Sequence, residues 1–280
     1  SPSFLLLFIS LPGSWGDGEY YAGHIPEAVH MDTDMVENGY PRWFMLPTAG
    51  LHAALGRLGL TANDTVVVYS NSSIAAAVTW WTLTYAGAAD VRYLDGGLQA
   101  WRASGLPVQL APVQPEAATF AAPVRSELLA TARHVLAAVD HGSAVLGDVR
   151  SRAEYDGQTS GYTYLALRGR IPGAVWLEDA DDDAYVYQYP NGSLRAPAAI
   201  RHLWEQRGLR LTGPIILYCG SGWRSSLAAL YARALQLPNV RNYVDGWADW
   251  STEFERDPAY HQPPTPGWIQ RASGRPVVPQ

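Results

Sequence analysis

The stretch Ile215-Ile216-Leu217-Tyr218-Cys219-Gly220-Ser221-Gly222-Trp223-Arg224 contains the chain's one cysteine and indicates the fold. Residues 214–218 form a short, apolar and β-branched run, which is typical of a buried parallel strand. Residues 225–237 have the apolar spacing of a helix, and Pro238 ends it. A strand, a tight glycine loop and a helix in this order predict an α/β fold, with a mainly parallel sheet flanked by helices.

The same pattern occurs earlier in the chain, because three sequence blocks recur in the same order. The matched blocks are residues 23–29 with 169–175, residues 66–70 with 215–219, and residues 91–96 with 240–246. Their offsets are 146, 149 and 150 residues, the last with Asp95 placed opposite Asp245. Nearly constant offsets over three separate blocks indicate a tandem duplication of one domain.

The length of 280 residues suits two domains of ordinary size. Prolines are concentrated between residues 107 and 123 and again after residue 263. Proline fixes φ and lacks a backbone donor, so the first stretch should run extended over the surface. The second is expected to be an arm lying on the domains or a frayed tail. We expect a first domain over residues 1–110, a linker over 111–123, a second domain over 124–262 and a C-terminal arm over 263–280.

Composition excludes several classes of function. Apolar residues make up 48% and charged residues 16% of the chain, which supports a packed core. The net charge of -6 leaves no basic footprint for nucleic acid or an anionic membrane, and the apolar run at residues 4–9 is too short to span a bilayer. All 20 basic residues are arginine, which excludes a Schiff-base lysine and a P-loop lysine. We therefore expect neither nucleic acid nor a membrane as a partner.

The sequence contains no pattern that indicates a metal or a cofactor. One cysteine excludes a Cys-rich zinc site, and the seven histidines lack zinc spacing. The acidic run at residues 178–183 lacks the spacing of a calcium loop and is expected to be a solvated loop. We expect no metal and no cofactor. Because the chain begins with Ser1 rather than Met, we expect that a leader or an earlier segment is missing, and both periplasm and cytoplasm stay open.

The loop after the strand gives Cys219 the surroundings of a nucleophile. In open α/β sheets ligands bind beyond the carboxyl ends of the strands. Gly220 and Gly222 let the backbone fold tightly, so that successive N–H groups form an anion-binding nest at the positive end of a helix. We expect Cys219 to react as a thiolate and Arg224 to close the loop with a fixed charge. The alternative is a buried structural cysteine, because free cysteine is among the most buried residue types.

These residues resemble the rhodanese (sulfurtransferase) family. The motifs that carry the resemblance are residues 219–224, Asp148-Val149-Arg150 with Glu154-Tyr155, residues 169–174, Asp245-Gly246-Trp247 with Trp250, Glu19-Tyr20, residues 23–26, and Asp95-Gly96-Gly97 with Trp101. The resemblance covers nearly the whole chain and implies two rhodanese-like domains, each a mainly parallel sheet flanked by helices. It also implies a sulfurtransferase: Cys219 takes sulfur from a small-molecule donor, thiosulfate or 3-mercaptopyruvate, as a persulfide. The sulfur then passes to cyanide, a thiol or an acceptor protein of unknown identity.

The resemblance further implies that the second domain is the active one. Ser70 takes the place of Cys219 in the first copy, and its loop, residues 70–73, lacks the glycines and the closing arginine. The first domain is therefore expected to be inert and to shape the cleft between the domains. The active loop starts like that of mercaptopyruvate-preferring enzymes but ends in Trp223-Arg224, closer to single-domain and multi-domain bacterial members, so the donor stays open.

Three arginines, Arg150, Arg168 and Arg170, are candidates for binding the anionic group of the donor. The planar guanidinium suits bidentate recognition of a sulfonate or carboxylate, and the alternative for each arginine is a surface or structural ion pair. In the loop, Trp223 is expected to flank the mouth of the cleft and to limit donor size, and Ser221 is a candidate for assisting proton transfer.

Two other functions stay open. A Cys–Arg loop at a helix N-terminus also binds phosphate, as in phosphatases related to rhodaneses. Their loop has one more residue between cysteine and arginine, so the loop at residues 219–224 should be too tight for a phosphate monoester. The other alternative is a non-catalytic persulfide carrier, which would load sulfur without multiple turnover.

Overall fold

The computed structural model describes residues 4–10, 14–39 and 44–256, and the chain divides into two compact units. The first unit extends to Ser126 and also takes in Tyr187–Arg195, while the second begins at Glu127 and contains the intervening and following segments. Within the first unit, residues 107–123 run without helix or strand, and the N–H of Ala118 donates to the carbonyl oxygen of Gly56. The expected C-terminal arm at residues 263–280 lies outside the described residues.

A parallel sheet of four strands forms the first unit. Its strands are β1 (Phe4–Ser10), β2 (Val29–Asp32), β3 (Thr65–Tyr69) and β4 (Asp90–Tyr93), and they lie in the order β2-β1-β3-β4. Its helices are α1 (Ser14–Tyr21), α2 (Thr48–Arg57), α3 (Ser73–Ala86) and α4 (Gly97–Ala103). Three consecutive valines favour a strand at β3, because β-branched side chains pack well on a pleated surface, and β3 lies between β1 and β4.

The second unit repeats this arrangement. Its strands are β5 (Val145–Asp148), β6 (Val175–Trp176), β7 (Ile215–Tyr218) and β8 (Val240–Tyr243), all parallel and in the order β6-β5-β7-β8. Its helices are α5 (Ala132–His141), α6 (Arg152–Tyr155), α7 (Pro197–Gln206), α8 (Trp223–Ala234) and α9 (Gly246–Arg256). All four residues of β7 are buried, as its continuous apolar run predicts. The predicted α/β architecture, with a parallel sheet flanked by helices in each half, is confirmed.

The duplication extends to individual hydrogen bonds. The hydroxyl of Tyr69 accepts the N–H of Ile25 at 2.9 Å in the first unit, and the hydroxyl of Tyr218 accepts the N–H of Ile171 at 3.3 Å in the second. Likewise, the hydroxyls of Tyr20 and Tyr155 each donate to an alanine carbonyl at 2.8 Å, those of Ala28 and Ala174. The two units therefore share buried polar contacts as well as strand order.

One detail of the predicted repeat alignment is wrong by one residue. Gly97 and Gly246 both have φ of 52°, and a Cβ atom at either position would collide with the carbonyl oxygen of Ser70 or Cys219 respectively. Gly97, and not Gly96, is therefore the counterpart of Gly246, and the offset of 149 residues continues through this block. The Asp95-Gly96 pair suggested the shifted alignment, but it ends one residue before the glycine that packs on the Ser70 carbonyl.

Local caps set the starts of two helices in the second unit. Helix α5 begins at Ala132, because Thr131 caps it through a capping box with His134, while Ser126–Leu128 form a separate 3-10 turn. Helix α8 begins at Trp223, because Gly222 adopts a left-handed conformation at the N-cap. Within the described part of the chain, no helix is long and apolar enough to cross a membrane.

Candidate active site

The loop that contains Cys219 is fixed from one side by the start of α9. The N–H of Trp247 donates to the carbonyl oxygen of Cys219 at 2.8 Å, and the N–H of Ala248 donates to that of Gly220 at 2.9 Å. In a trans peptide the carbonyl and the following N–H point in opposite directions. The N–H groups of Gly220 and Ser221 therefore point away from α9.

The end of the loop is the N-terminus of α8. Gly222 has φ of 87°, and the N–H of Ser226 donates to its carbonyl oxygen at 3.0 Å as the first helical bond. The N–H groups of Trp223, Arg224 and Ser225 precede that bond in the first turn of α8. They carry the positive end of the helix dipole to the loop, which favours an anion there.

Cys219 is 1% exposed and unbridged, and Tyr162 lies against its loop. A Cβ atom at Gly220 would overlap the ring and hydroxyl of Tyr162, so only glycine allows this approach. The Tyr162 hydroxyl is hydrogen-bonded to Ser221. Burial raises the pKa of Tyr162, while the nearby Arg224 guanidinium opposes that effect, so the phenol is neutral at neutral pH. The buried thiol therefore has a neutral hydroxyl group beside it rather than an all-apolar lining.

The guanidinium of Arg224 is held by two carboxylates. Its two terminal nitrogens donate to Glu154 at 2.9 and 2.8 Å, and one of them also donates to Asp179 at 3.1 Å. Although burial acts in the opposite direction, these bonds lower the pKa of Glu154. Burial raises the pKa of Asp179 despite the same arginine. The fixed charge of Arg224 is therefore compensated inside the site, and its role in closing the loop stays a prediction.

The side chain of Glu154 is positioned by its own helix. Ser151 and Glu154 form a capping box at the start of α6, with the N–H of Ser151 donating to the carboxylate at 2.9 Å. Gly161, with φ of 80°, packs directly on that carboxylate and has no room for a Cβ atom. The acidic run at residues 178–183 is accordingly not a fully solvated loop, since Asp179 binds Arg224 and Glu178 forms an ion pair with Arg207.

Arg150 is fully buried, and the structure gives it a structural role in place of the expected contact with a donor. Its guanidinium binds Asp148 at 2.7 Å and the carbonyl oxygen of Gly169 at 2.8 Å, and it lies 4.8 Å from the ring centroid of Trp247. Asp148 also accepts the hydroxyl of Tyr218 at 2.6 Å. This network joins the carboxyl ends of β5 and β7 beneath the loop.

The other two candidate arginines lie outside the loop. Arg168 is exposed, and its guanidinium donates to the carbonyl oxygen of Gln158 at 3.2 Å. Arg170 is partly buried, lies 4.4 Å from the ring centroid of Tyr155 and donates to its carbonyl oxygen at 3.2 Å. Neither contact joins these side chains to Cys219, so their role in donor binding stays a prediction.

Tyr162 and Asp179 were not identified from the sequence. Tyr162 stands in a segment without helix or strand, and no periodicity or repeat points to it. Its one local signal is the glycine before it, because Gly161 occupies a left-handed turn. Among the described residues, no group of three or more His, Cys, Asp or Glu side chains could hold a metal ion.

The matching loop of the first unit has different contacts. The hydroxyl of Ser70 donates to the carbonyl oxygen of Ile9 at 2.7 Å and accepts the N–H of Ser72 at 3.1 Å. Asn71 donates to the carboxylate of Glu19 at 2.8 Å. The Ser70 hydroxyl is thus engaged with the backbone both as a hydrogen-bond donor and as an acceptor.

Comparison with known proteins identifies the fold family. The rhodanese-like domain family matches residues 16–104 and 131–253. The chain is 33% identical to thiosulfate sulfurtransferase YnjE of Escherichia coli K12 over 250 aligned residues. The aligned region covers 87% of this chain and 57% of that protein. It is 29% identical to 3-mercaptopyruvate sulfurtransferase of the same organism over 243 aligned residues. That alignment covers 85% of this chain and 83% of that protein.

Solved structures give the same result. The crystal structure of YnjE superposes with a TM-score of 0.83 at 31% identity, over 92% of this chain and 62% of that one. An anaerobic ergothioneine biosynthesis enzyme from Chlorobium limicola, in complex with trimethyl histidine, superposes with a TM-score of 0.84 at 31% identity, over 93% of this chain and 64% of that one. This chain therefore spans less than two thirds of the length of either protein. With both halves matched by the same domain family, the chain belongs to the rhodanese family and contains two rhodanese-like domains in tandem.

Proposed function

We propose that this protein is a sulfurtransferase that moves sulfane sulfur from a small-molecule donor to a thiophilic acceptor through a persulfide on Cys219. The observation that carries the proposal is the position of the chain's one cysteine. Cys219 stands in a glycine loop whose carbonyls are bound by α9 and whose end is the N-terminus of α8. The sulfurtransferases among its relatives support the same reaction class.

In the first half-reaction the thiolate of Cys219 attacks the outer sulfur of the donor. A sulfur–sulfur bond forms, and the bond between that sulfur and the rest of the donor breaks with its electron pair. Thiosulfate would release sulfite, and 3-mercaptopyruvate would release the enolate of pyruvate, which needs a proton. The neutral hydroxyl of Tyr162 lies at the loop and is our candidate for donating a hydrogen bond or a proton to the leaving group.

In the second half-reaction an acceptor thiol or cyanide attacks the outer sulfur of the persulfide. The sulfur–sulfur bond breaks, and its electron pair returns to Cys219 as a thiolate. In both states the charge near the sulfur is negative, so the α8 N-terminus and the loop N–H groups stabilise the two forms alike. An enzyme that must both form and release the persulfide needs this balance, because strong stabilisation of either form would slow one half-reaction.

We further propose that the second unit is the catalytic domain and that the first is inert. Ser70 replaces the nucleophile, and its hydroxyl is engaged by two backbone groups. In the first unit Asn71 binds Glu19, whereas in the second Arg224 binds Glu154. The first loop therefore lacks both the thiol and the arginine of the second.

The phosphatase alternative is disfavoured by the position of Arg224. Its guanidinium is bidentate to Glu154 and also binds Asp179, so its donors are directed at carboxylates instead of at the loop interior. A phosphate monoester would have to displace these buried contacts, and the loop is one residue shorter than in the related phosphatases.

The test compares thiosulfate and 3-mercaptopyruvate as donors on one preparation, with cyanide and a dithiol as acceptors. Trimethyl histidine belongs in the acceptor panel, because the Chlorobium limicola enzyme is described in complex with it. Multiple turnovers and one extra sulfur atom on Cys219, removable by cyanide, are expected. A single round of sulfur loading without turnover would identify a carrier, and hydrolysis of a phosphate monoester without sulfur transfer would identify a phosphatase.

A further inference from the structure

A cavity in the second unit is open to solvent, is lined by arginines and lies apart from the loop. Its volume is about 460 Å³, and neither Cys219 nor any other loop residue lines it. The lining side chains that carry charge or aromatic rings are Arg152, Arg170, Arg207, Asp156, Tyr155 and Trp176. A cavity of this size accommodates a small metabolite.

The guanidinium groups are held in place by aromatic rings. Arg170 lies 4.4 Å from the ring centroid of Tyr155, while Arg207 and Arg152 lie 4.6 and 5.0 Å from that of Trp176. The rings are themselves fixed, because the Tyr155 hydroxyl donates to the carbonyl oxygen of Ala174 and the Trp176 indole donates to a buried carbonyl at 2.9 Å. A ligand that binds these guanidiniums would therefore have little side-chain entropy to overcome.

The ion pairs leave one positive charge at the cavity uncompensated. Arg152 pairs with Asp156 at 2.7 Å, and Arg207 pairs with Glu178. Arg170 has no carboxylate within ion-pair distance among the described residues, and its hydrogen bond goes to a backbone carbonyl. The protein as a whole has a net charge of -6, so this local excess of positive charge is unusual for its surface.

The first unit shows that the fold does not require such a cavity. Tyr20, His24 and His30 occupy there the positions of Tyr155, Arg170 and Trp176, as the shared hydrogen bonds and strand registers indicate. The rings of His24 and His30 stack on Tyr20 at centroid distances of 3.8 and 4.7 Å, and His24 is fully buried. The same place is filled by packed rings in one copy and lined by arginines in the other.

We propose that this cavity binds a phosphate-bearing small molecule, with the phosphate group between the guanidiniums of Arg152, Arg170 and Arg207. Three guanidiniums around one space offer donors to several oxygens at once, which matches a phosphate better than a carboxylate with two oxygens. Asp156 lies on the cavity wall and keeps Arg152 oriented. The site does not depend on the sulfur-transfer function, since it shares no lining residue with the loop.

The test measures the binding of inorganic phosphate to the whole chain by titration calorimetry at constant ionic strength, set with sodium chloride. Wild type should bind phosphate saturably, and Arg170→Gln should weaken the affinity roughly tenfold or more, because a charged hydrogen-bond partner is lost. Arg201→Gln is the matched control, because Arg201 is exposed on neighbouring α7 and pairs loosely with Glu205 at 3.8 Å. That variant should keep the wild-type affinity.

The indole N–H resonance of Trp176, assigned with Trp176→Phe, supplies a local readout and should shift during the titration. If Arg170→Gln does not fold, Arg207→Gln carries the same expectation from the opposite wall. Phosphate binding that is unchanged in both variants would place the anion elsewhere, for example in the Cys219 loop, and overturn the proposal. The absence of saturable binding to wild type would overturn it as well.

Discussion

The carboxylate of Glu154 accepts two hydrogen bonds from the guanidinium of Arg224, at 2.9 and 2.8 Å, in a buried part of the second unit. Glu154→Gln would remove the bidentate carboxylate and leave Asp179 as the carboxylate that still pairs with that buried guanidinium. We expect a loss of about 2–4 kcal/mol in the free energy of unfolding, measured by chemical denaturation. Asp156→Asn is the control, because its partner Arg152 is 60% exposed and such pairs contribute less than about 1 kcal/mol. Equal losses in the two variants would contradict the structural importance of the buried pair.

Cys219→Ser should abolish sulfur transfer, because the hydroxyl oxygen is a poor nucleophile toward sulfane sulfur. The folded state should be kept, because oxygen is smaller than sulfur and serine fits the site of the cysteine. Turnover with both donors and the thermal midpoint of unfolding are the two measurements. Ser70→Ala in the first unit is the matched control and should leave turnover unchanged. Residual transfer in Cys219→Ser, in a chain with no other cysteine, would exclude the persulfide mechanism.

The sequence predicted the fold and the place of the thiol because both depend on local patterns. Three features are adjacent in the chain: the apolar run of β7, the glycines after it and the helix that follows. The repeat shows the strand and the helix a second time and so supports the same fold. The one-residue alignment error at Gly97 has a physical origin. An Asp-Gly pair is visible in the sequence, whereas the need for a residue without Cβ beneath the Ser70 carbonyl arises from packing.

Two of the residues around Arg224 could not be predicted in the same way. Tyr162 and Asp179 reach the loop from segments far away in sequence and without regular structure, so no period marks them. Arg150 shows the converse difficulty. A charged residue at the end of a strand suggests an exposed binding group, but the indole of Trp247 and the carboxylate of Asp148 enclose it completely.

Tyr162→Ala should expose the thiol of Cys219, because the tyrosine ring lies directly against the loop at Gly220. The rate of alkylation by iodoacetamide should rise several-fold, and the single cysteine makes the mass-spectrometric readout unambiguous. Tyr162→Phe keeps the ring and removes the hydroxyl. It should leave alkylation near the wild-type rate and lower turnover roughly tenfold, more with 3-mercaptopyruvate, whose leaving group needs a proton. Unchanged turnover in Tyr162→Phe would show that the hydroxyl takes no part in the reaction.

Gly246→Ala should disrupt the loop, because the added Cβ would meet the carbonyl oxygens of Cys219 and Gly220. Gly142→Ala is a matched control: Gly142 has φ of 61°, close to the 52° of Gly246, but nothing lies within 4 Å of an added Cβ. The control should lose only the roughly 1–2 kcal/mol of placing alanine in the left-handed region. Gly246→Ala should lose clearly more unfolding free energy than the control and should also lose sulfur transfer. Equal losses of unfolding free energy in the two variants would argue against the tight contact beneath the loop.

Asp245 should make stability depend on pH. Burial, with a further contribution from the charge of Asp249, raises the pKa of Asp245 to about 6, from 3.8 in the absence of these effects. Because the folded state holds this proton more tightly than the unfolded state, the stabilisation is fully present below pH of about 4 and is lost as the pH rises through about 6. The total change is at most about 3 kcal/mol.

Asp245→Asn removes this titration and keeps the shape of the side chain. The difference in unfolding free energy between variant and wild type should therefore favour the variant at pH 8 and shrink steadily toward pH 4, which denaturation series at several pH values would measure. Taking the difference cancels the titration of carboxylates that do not interact with Asp245. A flat difference would mean that the Asp245 carboxyl group is solvated in the folded protein.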